Sequence, residues 1–433
     1  MQYLPNILFA LALAFGIGYF AMNVKKLIRN IRLGTDLDVS DNKSQRFKNM
    51  ALIAFGQSKM VRRLIAGFLH VIVYVGFLVI NMEVLEIIID GIFGTHRIFS
   101  SIGKPYGILI GCFEILAVLV FVAVIVFWVR RNILKLRRFW NSEMTNWPKS
   151  DANYILYFEM VLMALFLIMN ATDVHFQEMD SGNVISGHIA LWFKGASVTT
   201  LHFIERTAWW FHILGILVFL NYLYFSKHLH ILLAFPNTYY GSLQPKGALN
   251  NLEAVTKEVR MMMDPNIDPF AASPDNADVP AKFGASDVQD LNWLQLLNAY
   301  TCTECGRCTS ECPANLTGKK LSPRKIMMDT RDRLEEVGKN IDANNGVFKE
   351  DGKQLLDDYI TREELWACTS CNACVEACPV SINPLSIIMD MRRYLVMEQS
   401  AAPTELNNMM SNIENNGAPW PYNQMDRLNW KTE

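Results

Sequence analysis

Five stretches of this 433-residue chain are apolar enough, for long enough, to cross a bilayer, and no other feature restricts the fold as much. They run over about 4–23, 64–85, 107–129, 154–171 and 208–232. Each is close to the roughly 20 residues a helix needs to traverse about 30 Å of hydrocarbon. Backbone in hydrocarbon must satisfy its own hydrogen bonds, so these stretches predict five helices packed as a transmembrane bundle over residues 1–236.

Charge orients the bundle. The first stretch has no basic region ahead of it, and Lys25, Lys26, Arg29 and Arg32 follow it. That is the pattern of an anchor with its N-terminus outside, not of a cleaved leader. Segments 24–63 and 130–153 carry sixteen Lys and Arg, whereas 86–106 and 172–207 carry four: Arg97, Lys104, Lys194 and Arg206. The positive-inside rule then places everything after the fifth stretch in the cytoplasm of a multi-pass inner-membrane protein. A net charge of −2 argues against nucleic acid as a partner on electrostatic grounds.

The apolar residues concentrate before Pro236, while eight of the nine cysteines lie after Tyr300. Between these regions, 237–290 reads as a connector punctuated by Pro245, Gly247, Pro265, Pro269, Pro274, Pro280 and Gly284. One amphipathic helix is expected around Leu249–Met263, its Met261–Met263 reaching either lipid headgroups or the protein's own surface. A cluster-bearing domain follows over 291–398, and then a tail over 399–433.

That domain contains a duplication. Cys302, Cys305, Cys308 and Cys312-Pro313 share the spacing C-x2-C-x2-C-x3-C-P with Cys368, Cys371, Cys374 and Cys378-Pro379. Three cysteines two residues apart let a tight loop wrap one cubane, while the fourth points to the other cluster. Cys302, Cys305, Cys308 and Cys378 then hold one [4Fe–4S] cluster, and Cys368, Cys371, Cys374 and Cys312 hold the second. Zinc usually takes two separated pairs, and disulfides do not suit a reducing compartment. Each motif precedes a helix with Pro near its start, Pro323 or Pro384, and strand signals are few. The expected fold is therefore all-α: a five-helix bundle followed by a helical, ferredoxin-like two-cluster domain. Cys112, inside the third span, is expected as a small buried hydrophobe.

Histidine in hydrocarbon is costly enough to suggest function, and two on facing helices are a common way to hold haem b. His70 lies near the cytoplasmic end of the second span. On a continuous fifth span, His212 and His230 are 18 residues apart, five turns and about 27 Å, and share a face. His228 then points about 160° from His212, which makes it the weaker ligand. His70 and His230 match in depth, so they form the first haem pair. A second haem at His212 needs a partner, and Asn81, on the face of His70, is not a usual iron ligand. One haem or two therefore stays open, as does a role for His212 in hydrogen-bonding a quinone. His96, His175, His188 and His202 are expected in solvent.

His70, His212 and the run Phe225-Ser226-Lys227-His228-Leu229-His230 resemble the cytochrome b that forms the gamma subunit of respiratory nitrate reductase, whose second and fifth helices ligate two haems. The likeness fails at Ile80 and Asn81. The cysteine half resembles the HdrC-like iron–sulfur component of heterodisulfide reductase. The fusion looks like the N-terminal part of membrane oxidoreductases linking electron-transfer flavoprotein to menaquinone. This resemblance implies an electron-transfer subunit of a quinone-linked oxidoreductase, working with menaquinone or ubiquinone in membrane lipid. It also implies a cytoplasmic partner, either a flavoprotein type or a subunit with cysteine-rich CCG domains. The chain has no Cys-Cys pair, so that catalytic module is expected on a separate polypeptide or not at all.

No G-x-G-x-x-G element in the soluble half suits a flavin or nicotinamide. Two rival classes remain: a redox sensor or plain membrane anchor, and a proton-translocating protein using Glu83, Glu86, Glu114 and Glu159. Of these four, only Glu114 lies well inside a span.

Overall fold

In a computed structural model of the chain, residues 3–179, 181–245, 247–265 and 282–432 are described. Pro269, Pro274 and Pro280 of the connector lie outside them.

The five apolar stretches form helices α1 (Leu4–Ile31), α2 (Leu64–Phe93), α3 (Lys104–Asn132), α4 (Trp147–Thr172) and α5 (Val198–Tyr222). The first four outrun the apolar windows because their flanks stay helical. Lys25, Lys26 and Arg29 continue α1 past the last apolar turn, and Pro5, Pro105 and Pro148 sit in the first turns of α1, α3 and α4, where a missing N–H costs nothing. Gly94 ends α2 in the left-handed region at φ 71°, where a side chain would be strained.

Packing divides each helix into two faces. Ile80, Ile110, Phe113, Ala117, Phe166 and Ile213 fill the bundle interior. Leu11, Phe15, Phe68, Ile108, Phe211 and Val218 point outward and are exposed. Such a surface is unstable in water and suits hydrocarbon. Cys112 belongs to this outward face and is exposed, which corrects the expectation that the protein buries it.

The fifth helix departs from expectation. It begins ten residues before the apolar window and ends at Tyr222, followed by a tight turn at Leu223–Phe225, an extended Ser226 (φ −117°, ψ 147°) and a second turn at Lys227–Leu229. Helix α6 (His230–Tyr240) then starts afresh. The buried Asp151 carboxylate holds the break open, accepting from Tyr222 Oη at 2.6 Å, Ser226 Oγ at 2.7 Å and the Lys227 amide at 3.1 Å. No single helix joins His212 to His230, so the count of five turns and the 160° offset of His228 from His212, both of which assumed one, do not apply.

The second half contains helices α7 (Trp293–Thr301), α8 (Pro323–Ala343) and α9 (Pro384–Met397). Side chains of Asn292, Ser322 and Asn383 cap their N-termini, and Pro323 and Pro384 open α8 and α9 as expected. Among the described residues, β-pairing is limited to isolated bridges, Thr35 with Asn292 and Leu356 with Ile360.

The two halves share one core. Leu27, Leu223 and Leu229 of the bundle pack with Leu296, Ile326, Leu334 and Ile388. Ala285 and Val288 join them, so this core begins within the expected connector. Polar ties reinforce the seam: Asn30 Nδ2 donates to Tyr300 Oη at 3.0 Å, and Arg324 donates to the Arg138 carbonyl at 2.6 Å and to Glu143 at 2.7 Å. The cysteine half is thereby fastened to one end of the bundle. Elsewhere in the connector, the expected helix spans Glu253–Met263 and leaves Met262 and Met263 exposed.

Candidate metal centres

The eight C-terminal thiols gather around two cavities. Cys302, Cys305, Cys308 and Cys378 line the first, which Cys374 also borders. Cys312, Cys368, Cys371 and Cys374 line the second. Each set therefore takes three cysteines from one motif and the last cysteine of the other.

The backbone repeats with the sequence. Glu304 and Gly306 adopt positive φ between the first three cysteines, and Ser370 and Asn372 do so at the equivalent positions of the second motif. These left-handed residues curl each loop around its cavity. Cys312 and Cys378 are both extended (φ −77°, ψ 118° and φ −71°, ψ 123°) because the following Pro313 and Pro379 exclude the helical region. The short helices preceding them must stop there.

All nine cysteines are free. Burial pushes the Cys302 and Cys374 thiols up to about 12 and Cys378 up to about 11. Such thiols are poor nucleophiles, and bonding to a metal is what deprotonates them. Backbone amides of Ser370 and Ile382 point at Cys368 Sγ (3.4 Å) and Cys378 Sγ (3.3 Å), contacts of the kind that tune cluster potential.

Residues 301–382 match the family profile of the 4Fe-4S dicluster domain. This region is a helical 4Fe-4S dicluster domain. Over 99% of its length the chain is 29% identical to a probable iron-sulfur-binding oxidoreductase, FadF, of Bacillus subtilis, covering 61% of that protein. It is 27% identical over 91% of its length to the EtfAB:quinone oxidoreductase of Syntrophomonas wolfei, covering 55% of it. A quarter of the chain (25%) is 34% identical to one polypeptide of a CoB-CoM heterodisulfide reductase from Methanosarcina acetivorans, covering 52% of that polypeptide. The chain thus spans little more than half the length of the two relatives that match nearly all of it. No solved structure matches it significantly.

Beside the first cavity, the break after α5 brings His228 and His230 to His70. The rings of His70 and His230 are 6.5 Å apart between centroids, at 39° to each other. Two imidazoles that both held one iron, with metal–nitrogen bonds of about 2.0 Å and ring centres about 1.1 Å further out, would stand at most roughly 6.2 Å apart. The pair stands close to that limit and so fits a haem iron. His230 Nδ1 is bonded to the Lys227 carbonyl at 3.1 Å, leaving Nε2 for a metal, and His70 Nδ1 is buried without a partner. His228 is 5.3 Å from His230, with Nε2 3.6 Å from Glu159.

The remaining histidines lie away from this group. His212 is buried in the bundle core, its Nδ1 3.1 Å from the Leu162 carbonyl and its ring against Phe166. At the other end of the bundle, His96, His175, His188 and His202 are all exposed as expected, with His96 also 3.4 Å from Asp173.

Sequence reasoning missed the link between the two groups. Glu304, inside the first cysteine loop, pairs with Lys227, which stands between Ser226 and His228, and with Arg331 at 2.8 Å. Burial alone would raise the Glu304 carboxyl, but the two cations override it and hold it below the usual range. Lys227 also donates to the Pro148 carbonyl at 2.6 Å. One ion pair thus fixes the cysteine loop against the turn that aims His230. An acid within C-x2-C and a lysine beside the histidines were the available signals.

Proposed function

We propose that this chain carries electrons between a soluble redox partner and a membrane quinone, through two [4Fe–4S] clusters and one haem b held by His70 and His230. The observation that carries the reading is the ligand-like separation of these two rings, one ion pair away from the Cys302–Cys308 loop. When bound, a haem and two clusters supply one-electron steps, which a quinone sums to two. The chain's own residues position and insulate. The crossed cysteines hold the clusters near each other, Lys227 and Glu304 fix the loop to the bundle, and the outward apolar faces keep the helices in lipid.

The name of the Syntrophomonas wolfei relative supports a quinone and an electron-transfer flavoprotein as the two redox partners; a CCG-domain subunit is the other candidate on the soluble side. The proton-translocating alternative loses its best residue. Glu114 accepts from Asn170 at 3.1 Å and from the amides of Ile185 and Ser186 at 2.8 and 3.0 Å, which is a structural anchor and not a relay.

The distribution of Lys and Arg supports a cytoplasmic cluster domain. A reporter fused after Glu433 should then behave as cytoplasmic, and one inserted at the exposed Gly195 as external. A cytoplasmic signal at both sites would break the five-span orientation. The function itself is tested by whether a quinol reduces the clusters of the intact chain.

A further inference from the structure

A cavity in the bundle lies at the end opposite the cysteines. It has a volume of about 420 Å³ and is lined by the first turns of α1, the last turns of α2, the Thr95–Arg97 loop, and the beginning of α5. Three aromatic rings form its wall: Phe9 is 5.3 Å from Trp209 and 6.1 Å from Trp210, and the two indoles are 5.2 Å apart. Gly91 makes this wall continuous, since a Cβ there would come within 2.6 Å of the Phe9 ring.

The polar lining is almost entirely committed. Arg97 donates to Asp173 at 2.7 Å, to Asn170 at 2.7 Å and to Tyr106 at 3.2 Å. Glu86 accepts from the Phe99 amide at 2.9 Å and from Tyr106 at 3.0 Å, and Glu205 pairs with Arg206. Glu83 is the exception. It lines the cavity at 4% exposure, and its Oε2 has no hydrogen-bond partner. A buried carboxylate oxygen left bare is costly, so its presence points to a group that is not part of the chain.

We infer that this cavity binds the headgroup of a membrane quinone or quinol, with Glu83 as hydrogen-bond partner of a quinol hydroxyl and the Phe9, Trp209 and Trp210 rings as its apolar wall. The inference rests on the quinone-linked reading above and names the site for it. The headgroup is flat, aromatic and polar at its two ends, which matches an aromatic wall beside one unpartnered carboxylate. His212 does not line the cavity, so the expected quinone contact passes from His212 to Glu83. Glu83 is thirteen residues along α2 from His70, about 20 Å of helix. Proton exchange by a quinol held there therefore belongs to the bundle end remote from the clusters.

The test uses the full chain in nanodiscs, loaded with its cofactors, and a short-chain 1,4-naphthoquinone as probe. Saturable quenching of tryptophan fluorescence is expected. Trp209→Phe and Trp210→Phe should remove most of it, and Trp420→Phe, in the exposed tail, should remove none of the saturable part. Glu83→Gln should weaken quinol binding about tenfold, as expected for losing one charge-assisted hydrogen bond. Unchanged cluster resonance spectra confirm that each variant is folded. If quenching and affinity survive all three changes while quinol still reduces the clusters, the site is elsewhere and the function stands. If the wild type neither binds the probe nor is reduced by quinol, both fall. Protection of these tryptophans from a soluble quencher by anionic lipid, and not by the naphthoquinone, would make the cavity a lipid site and overturn the inference.

Discussion

Alanine in place of either His70 or His230 is expected to abolish the low-spin haem spectrum of the reduced protein, leaving the iron five-coordinate or the site empty. The effect is all-or-none because each ring would supply one of the iron's two protein ligands. His228→Ala should retain the spectrum at reduced occupancy, since His228 packs 5.3 Å from His230 and 5.5 Å from Phe219 and so supports the pocket. Optical spectra of the three purified variants decide the matter. A haem lost with His228 and kept without His230 would reverse the assignment. The same spectra, with haem quantified against iron, bear on stoichiometry. His212 is enclosed by packed side chains and Ile80 is buried in the same core, so one haem per chain is expected.

Replacing Cys312 with serine should remove or convert the cluster held by Cys368, Cys371 and Cys374 while sparing the one held by Cys302, Cys305 and Cys308. Cys312 belongs to the first motif in sequence but lines the second cavity in space, so the two ligand assignments predict opposite spectra. Cys378→Ser should give the mirror-image result. Electron paramagnetic resonance of the reduced variants distinguishes the two signals. Loss of the first cluster on mutating Cys312 would show that each motif keeps its own fourth ligand.

Much of this arrangement was legible in the residues, because long apolar runs and cysteine spacings are local signals. The five helices, the helical dicluster region and the helices opening at Pro323 and Pro384 follow from patterns a few residues long. The end of the fifth helix does not. Tyr222 to His230 contains neither Pro nor Gly, and the residue that breaks the helix is Asp151, on another span. A rule based on 3.6 residues per turn was therefore applied across a break it could not detect. The pairing of His70 with His230 rested on depth, and the structure brings these rings together by a different route. The core shared by the two halves was hidden for a related reason. Leu27 and Leu223 read as membrane residues, yet they pack into the cluster-domain core, and no local pattern separates lipid-facing from protein-facing leucine. The left-handed Glu304 and Ser370 were equally hidden, since only Gly306 and Asn372 advertise that conformation.

The central claim is that electrons pass between quinone and clusters through this chain, and anaerobic mixing with a quinol analogue tests it most directly. The intact protein in nanodiscs is mixed with the analogue, haem reduction is followed optically, and the clusters are followed by freeze-quench electron paramagnetic resonance. The haem and both clusters should become reduced, the haem no later than the clusters, and His70→Ala should slow cluster reduction at least tenfold. Clusters that stay oxidised in the wild type, or fill at the same rate without His70, would contradict the account.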